Sequence, residues 1–255
     1  MDKNRLPKTS RPKRYEIKLD IDLNNFSYEG VENIELEVLE NTNSIFLNSL
    51  GIEVTSASLE VDKKEVNILS VEYLEDEERI CLSSENEIVK GSYILHIKFK
   101  SDITDDLKGF YKSKYLTKEN EEKWIATTQF EPTSARNAFP CWDEPEYKAV
   151  FSITIIADKK LLRVSNEKVL EEKETKDNKV ETTFVDSMKM STYLVAFVVG
   201  ELEATEIGFA GSTEVRIVHR PGFSHQTSYA GTAESSFLIF LKTTMKFPIR
   251  VQNLT

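Results

Sequence analysis

The sequence predicts a mainly β fold that closes on one amphipathic helix. Apolar residues alternate with charged ones in run after run, Asn and Asp clusters punctuate those runs, and the spacing turns helical only near the end. Tyr15, Ile17, Leu19, Ile21 and Leu23 open the series with the period of a strand that buries one face. Ile34, Leu36 and Val38 repeat it with Glu between them, Tyr93, Leu95, Ile97 and Phe99 do so again, and Phe151, Ile153 and Ile155 once more. Asn24-Asn25 and Asn41-Thr42-Asn43 supply turn residues between runs. Leu194 to Val199 is apolar throughout, which predicts a central strand covered on both faces. Glu75 to Arg79 and Glu171 to Lys179 are charged and predict loop tips. Pro221-Gly222 ends a last strand run of Val215, Ile217 and His219. Beyond it Tyr229, Ala233, Phe237, Phe240, Leu241 and Met245 share one helical face, and Phe247-Pro248 stops the helix. Such a helix needs a partner surface, so residues 222–255 either pack on the β domain of residues 1–221 or open another domain.

Composition narrows the function. The 255 residues carry 33 Lys and Arg against 43 Asp and Glu, a net charge of −10, and are 40% apolar, enough for a sizeable core. Phosphate binding needs a basic patch, so no nucleic-acid partner is expected. The longest apolar run, Tyr193 to Val199, is too short to cross a bilayer, so no membrane partner is expected either. The charged start Met1-Asp2-Lys3-Asn4-Arg5 lacks a signal peptide's apolar stretch. Cys81 and Cys141 make no disulfide framework; together these features point to a cytoplasmic, reducing setting. Only His96, His219 and His225 are available as imidazoles, a poor stock for a catalytic zinc.

The densest polar stretch runs from Thr128 to Pro145. Pro132, Pro140 and Pro145 stiffen it and cannot donate ladder hydrogen bonds, so it reads as a shaped loop after a strand. Between them lie Arg136, Cys141, Asp143 and Glu144, with Gln129 and Glu131 at the start. Asp143 and Glu144 are adjacent and point apart, a poor acid/base pair. Gln129 and Glu131, at i and i+2 of an extended segment, project on one face. An amide beside a carboxylate suits a cation such as an ammonium group; a salt bridge to Arg136, or simple exposure, is the competing reading. Cys141 is a nucleophile only if a His approaches, and otherwise a small buried hydrophobe. There is no HExxH, GxxxxGK[ST], GxGxxG or GxSxG. No complete catalytic set and no metal-ligand set is visible.

Thr128 to Pro145 resembles the M1 family of zinc aminopeptidases, whose hallmark there is close to TQFEPTDARRAFPCFDEP. Further blocks resemble the family in its order: Leu6-Pro7-Lys8 with Tyr15 to Leu19, Gly109 to Ser113, Lys148 to Phe151, Ser165-Asn166 and Met190 to Gly200. The resemblance implies a large saddle-like antiparallel β-sandwich over residues 1–221, the family's N-terminal domain. Residues 222–255 would then begin a truncated catalytic domain with one helix. It also implies that Glu131 helps hold a peptide's free α-amino group and that Gln129 lines the first side-chain pocket. Asn137 stands where the family usually has a second Arg, which loosens a local ion pair and leaves Q-x-E intact.

The family's GAMEN segment, HExxH zinc helix, downstream zinc-ligand Glu and transition-state Tyr are not in this sequence, although Lys246-Phe247-Pro248 is similar to a motif shortly before GAMEN. The expectation is therefore the amino-terminus-anchoring part of a zinc metalloaminopeptidase, with peptide N-termini as its partners in the whole enzyme. Alone it is expected to be inactive and to lack zinc. The missing signal peptide favours the cytoplasmic branch resembling puromycin-sensitive enzymes. A non-catalytic β module that binds another protein is the alternative; an adhesive or carbohydrate-binding sandwich fits composition but not the ordered blocks. As a finished product the chain must cover the Tyr229–Met245 face with its own β domain or a partner; as a fragment it leaves that face exposed, which predicts self-association.

Overall fold

A computed structural model of the chain describes residues 5–61, 64–67, 70–210 and 213–244. The strands in order are β1 (Ser10–Asp22), β2 (Ser27–Val38), β3 (Thr42–Asn48), β4 (Glu53–Val61), β5 (Lys64–Asn67), β6 (Ser70–Leu74), β7 (Arg79–Ile88) and β8 (Gly91–Asp102). Then come β9 (Gly109–Leu116), β10 (Glu122–Gln129), β11 (Val150–Asp158), β12 (Leu162–Ser165), β13 (Val169–Glu174) and β14 (Lys179–Phe184). β15 (Phe197–Gly200), β16 (Glu203–Ala210), β17 (Thr213–His219) and the helix α1 (Thr227–Thr244) complete the series. The architecture is a mainly β sandwich with one C-terminal helix. Among the described residues no helix is long and apolar enough to cross a membrane.

An eight-stranded sheet has the order β13-β14-β11-β1-β2-β8-β4-β5; a three-stranded sheet is β3-β7-β6 and a four-stranded one β12-β15-β10-β9. β1 and β11 run parallel, and the other described registers are antiparallel. The alternation seen in the sequence sets which side of each strand faces inward. Tyr15, Ile17, Leu19 and Ile21 of β1 are buried, as are Tyr93, Leu95, Ile97 and Phe99 of β8 and Phe151, Ile153 and Ile155 of β11. One apolar cluster joins these to Ile45, Leu47, Ile80 and Leu82 of β3 and β7 and to Phe110, Phe130, Phe139, Trp142 and Phe197. Gly30 is where β2 meets the Phe99 ring so closely that a Cβ would lie 2.1 Å from it.

The opposite side of the sheet carries the charges. Arg11 pairs with Glu37 at 2.7 Å, Lys18 with Glu181 at 2.5 Å and Lys179 with Asp20 at 2.5 Å, all across strands. Pairs this exposed are worth under about 1 kcal/mol each. Their main effect is on register, because a one-residue slip would turn every charge into the core. The turn after β1 is an Asx turn, with Asn24 and Asn25 donating backbone N–H groups to Asp22 Oδ1 at 2.8 and 3.1 Å.

The chain divides into two compact units, Met1–Ser113 with Trp124–Gly200, and Lys114–Lys123 with Glu201–Thr255. In the second, the β16–β17 hairpin carries α1. The helix meets the hairpin through small residues: Thr227 and Gly231 are buried and Ser235 is half-buried. A Cβ on Gly231 would stand 2.6 Å from Ile207. Tyr229, Ala233 and Phe237 of the apolar stripe are exposed; the side chains of Phe240 and Leu241, and all of Met245, lie outside the described residues. The Phe247-Pro248 stop lies outside them as well.

Several local expectations are corrected. Leu194 belongs to a one-turn helix over Thr192–Leu194 and is 50% exposed, so the strand is only Phe197–Gly200. A continuous apolar run does not distinguish a strand from the turn that leads into it. Arg79 is no loop tip: it begins β7, is buried, and reaches Glu77 at 3.4 Å. Glu171 to Glu174 belong to the exposed edge strand β13. His96 is not merely solvated, since Nδ1 lies 2.7 Å from Asn33 Oδ1 and Nε2 3.1 Å from Glu60 Oε2.

Candidate functional site

β10 delivers the site. Its last residue is Gln129, and the next, Phe130, is buried against Phe139 and Phe197 at centroid distances of 5.9 and 6.0 Å. Because Phe130 points inward, Gln129 and Glu131 on either side of it are exposed. The Gln129 Nε2 donates to the Glu131 carbonyl at 3.4 Å, which ties the two residues together. The Glu131–Pro132 peptide is cis. None of the described hydrogen bonds or ion pairs engages the Glu131 carboxylate.

The rest of the loop is locked. Arg136 Nε donates to Asp143 Oδ2 at 3.1 Å and its Nη1 to Glu78 Oε2 at 2.9 Å, so the salt bridge to Glu131 does not form. The other oxygen of Asp143 accepts from Thr192 Oγ1 at 2.8 Å, and the Asp143 N–H donates to Asn48 Oδ1 at 3.1 Å. Asn48 and Cys141 exchange backbone hydrogen bonds at 2.8 and 3.0 Å. The Trp142 N–H donates to the Tyr15 hydroxyl at 3.1 Å. Glu144 turns the other way, accepting from the Leu6 N–H at 2.6 Å and from Arg5 Nη1 at 2.8 Å. Asp143 and Glu144 thus point apart, and each is a structural fastener.

Cys141 is fully buried, and burial together with the nearby Asp143 pushes its thiol well above the usual range. No described hydrogen bond brings an imidazole to it; His219 lies 2.8 Å from Thr205 Oγ1, and His96 is held by Asn33 and Glu60. The thiol packs as a small hydrophobe. Tyr147, whose buried hydroxyl has no hydrogen-bond partner among the described residues, is pushed up to about 12 by burial and by Glu144 and Glu146. Among the described residues no group of three or more His, Cys, Asp or Glu is placed to hold a metal ion.

Two features escape the sequence reading. The Arg136–Asp143–Thr192 linkage joins residues far apart in the chain, and no local pattern reveals it. Glu32 lies fully buried on the inner face of β2, and its parity with Ile34 was the available signal. The loop presents an exposed, unengaged carboxylate beside the Gln129 amide, on a backbone fastened by Arg136, Asp143 and Asn48.

The Peptidase M1 N-terminal domain family matches residues 11–194. Aminopeptidase 2 of Candida albicans is 36% identical over 92% of the chain and 25% of its own length. The Puromycin-sensitive aminopeptidase of Caenorhabditis elegans is 36% identical over 89% of the chain and 24% of its own length. Endoplasmic reticulum aminopeptidase 1 of Rattus norvegicus is 31% identical over 96% of the chain and 27% of its own length. The chain spans about a quarter of the length of these curated relatives.

Proposed function

The chain belongs to the peptidase M1 family, and from that premise we propose that it is the substrate-anchoring N-terminal part of an aminopeptidase, with Glu131 holding the free α-amino group of a peptide and Gln129 lining the first side-chain pocket. One observation carries the reading: Glu131 is exposed and unengaged at the end of β10, whereas Asp143 and Glu144 of the same loop are committed to structural partners. An enzyme that cuts from one end must measure from that end, and a carboxylate carried on a fastened loop opposite an ammonium provides the reference point. A loop fastened by Arg136, Asp143 and Asn48 keeps that reference from drifting.

The family implies zinc in the whole enzyme, but the described residues do not fit a zinc centre. The part assigned to this segment is therefore recognition, and by itself it is expected not to hydrolyse peptides. In this reading residues 1–221 form the β part and residues 222–255 begin the catalytic part, with the Pro221-Gly222 turn before α1 as the sequence mark of the division, whereas the compact units divide at Gly200/Glu201 and group the β16–β17 hairpin with α1. The same proposal places the protein in the cytoplasm, supported by two cysteines that remain unpaired.

In an enzyme that carries this segment together with its catalytic part, Glu131→Ala is expected to raise KM and lower kcat/KM for peptides with a free amino terminus. Loss of a charge-assisted hydrogen bond of about 1.5–3 kcal/mol corresponds to a fall of about 10- to 150-fold. Steady-state kinetics on free and N-acetylated peptides reads this directly. Unchanged kinetics would remove the anchor role.

A further inference from the structure

Glu32 sits where its charge has no support. β2 turns Tyr28, Glu32, Ile34, Leu36 and Val38 toward the core, and Glu32 is 0% exposed. It pairs in register with Ile17 of β1 and with Ile97 of β8, both buried. Neither carboxyl oxygen has a hydrogen-bond partner among the described residues. Among the described residues, the Glu32 charge acts on the Tyr15 hydroxyl from β1 and the Cys141 thiol from the loop, neither of which brings a positive charge. Asp143 acts on both of those groups, and Arg136, which reaches Cys141, is committed to Asp143 and Glu78. A bare carboxylate in such surroundings is much less stable than the neutral acid.

We propose that Glu32 is carried uncharged in the core and acts as a base-sensitive latch, so that giving up its proton loosens the centre of the β1–β2–β8 sheet and the Cys141 loop. The device is coupled to the candidate site by position, because the Trp142 N–H of the locked loop donates at 3.1 Å to the hydroxyl of Tyr15, which lies on the same face of β1 as Ile17, the register partner of Glu32. Burial raises the Glu32 carboxyl well above the usual range. The folded chain therefore holds a proton that the unfolded chain has already released. Below the ordinary carboxyl range both states are protonated and the group adds no pH dependence. Above it, stability falls as pH rises, until the pH passes the folded-state value.

The test compares the wild-type chain with Glu32→Leu and Glu32→Gln from about pH 5 to about pH 9, the span beyond the ordinary carboxyl range. Urea unfolding should show the wild-type unfolding constant climbing relative to Glu32→Leu by up to about tenfold per pH unit. Glu32→Gln, which keeps the shape and the unmet polar group but cannot ionise, should lose that slope. Hydrogen exchange corrected for intrinsic rates should accelerate with pH in residues 130–145 of the wild type and not of the variants. Parallel pH profiles for all three proteins would overturn the proposal. Should a variant fail to fold, the wild-type infrared spectrum decides alone: a protonated-carboxyl band at neutral pH supports the latch, and its absence overturns it.

Discussion

Asp143 in the Thr128–Pro145 loop is 2% exposed, whereas Phe237 in α1 is 55% exposed and Tyr229 is 84% exposed. Polarity alone would reverse that order. The loop's carboxylates go inside because each meets its partners there: Asp143 has Arg136 and Thr192, and Glu144 has Arg5 and the Leu6 N–H. Charge and hydrogen bonds together offset the desolvation that would otherwise keep them in water. The helix shows the converse. It approaches its hairpin through Thr227 and Gly231, and that close approach leaves the bulky residues on the far side. Between this loop and this helix, burial follows the geometry of available partners rather than the character of the side chain.

The largest expected effect comes from taking a partner away from the loop. Arg136→Ala leaves the buried Asp143 without its cation, and breaking such a pair costs about 3–5 kcal/mol. Urea denaturation should show the loss as a lower midpoint at unchanged slope. A loss below about 1 kcal/mol, the size of an ordinary surface change, would mean that the Asn48–Cys141 backbone bonds hold the loop by themselves.

On the helix side the contrast is sharpened by filling the close approach. Gly231→Ala gains about 1 kcal/mol of helix propensity, yet its methyl would stand 2.6 Å from Ile207. Three atoms of that β-branched side chain lie within 2.8 Å of the new Cβ, so no single rotation clears them. Overpacking of about 1–3 kcal/mol outweighs the propensity gain, for a net loss of up to about 2 kcal/mol. The helical signal by circular dichroism, followed through thermal unfolding, checks it. A net gain would show that α1 rides free of the hairpin.

Legibility in the sequence follows the same division. The four central strands of the eight-stranded sheet, β11, β1, β2 and β8, were readable because one wet face and one dry face impose a period of two, visible in Tyr15 to Ile21 and in Tyr93 to Phe99, whereas the exposed, charged edge strand β13 shows no such period and reads as a loop. Gln129 and Glu131 were readable as a pair for the same reason, with Phe130 as the inward residue between them. Long-range partnership left no local trace: Arg136 could have met Glu131 as easily as Asp143, and only the fold places Glu78 and Thr192 within reach. Leu194 was misplaced because an all-apolar run has no period to mark where a turn gives way to a strand. In α1 the apolar stripe was visible, but the sequence does not say that a hairpin takes up the small-residue face instead.

The smallest effect on stability belongs to that stripe, and it has the clearest readout elsewhere. Tyr229 and Phe237 are largely in water, so changing both to Lys should alter the unfolding free energy by no more than about 0.5 kcal/mol each. Association is a different matter. Large apolar groups set apart by two helical turns line up on one side of α1, and covering a side chain of this kind is worth about 1.5–3 kcal/mol. Two such residues meeting their copies would drive measurable self-association at protein concentrations where a polar face would not. Light scattering over a dilution series should therefore show the wild-type chain falling from larger species toward monomer, while the double Lys variant stays monomeric throughout. Equal behaviour of the two proteins would mean the stripe is inert in the free chain, and a large loss of stability in the variant would mean that it is already packed.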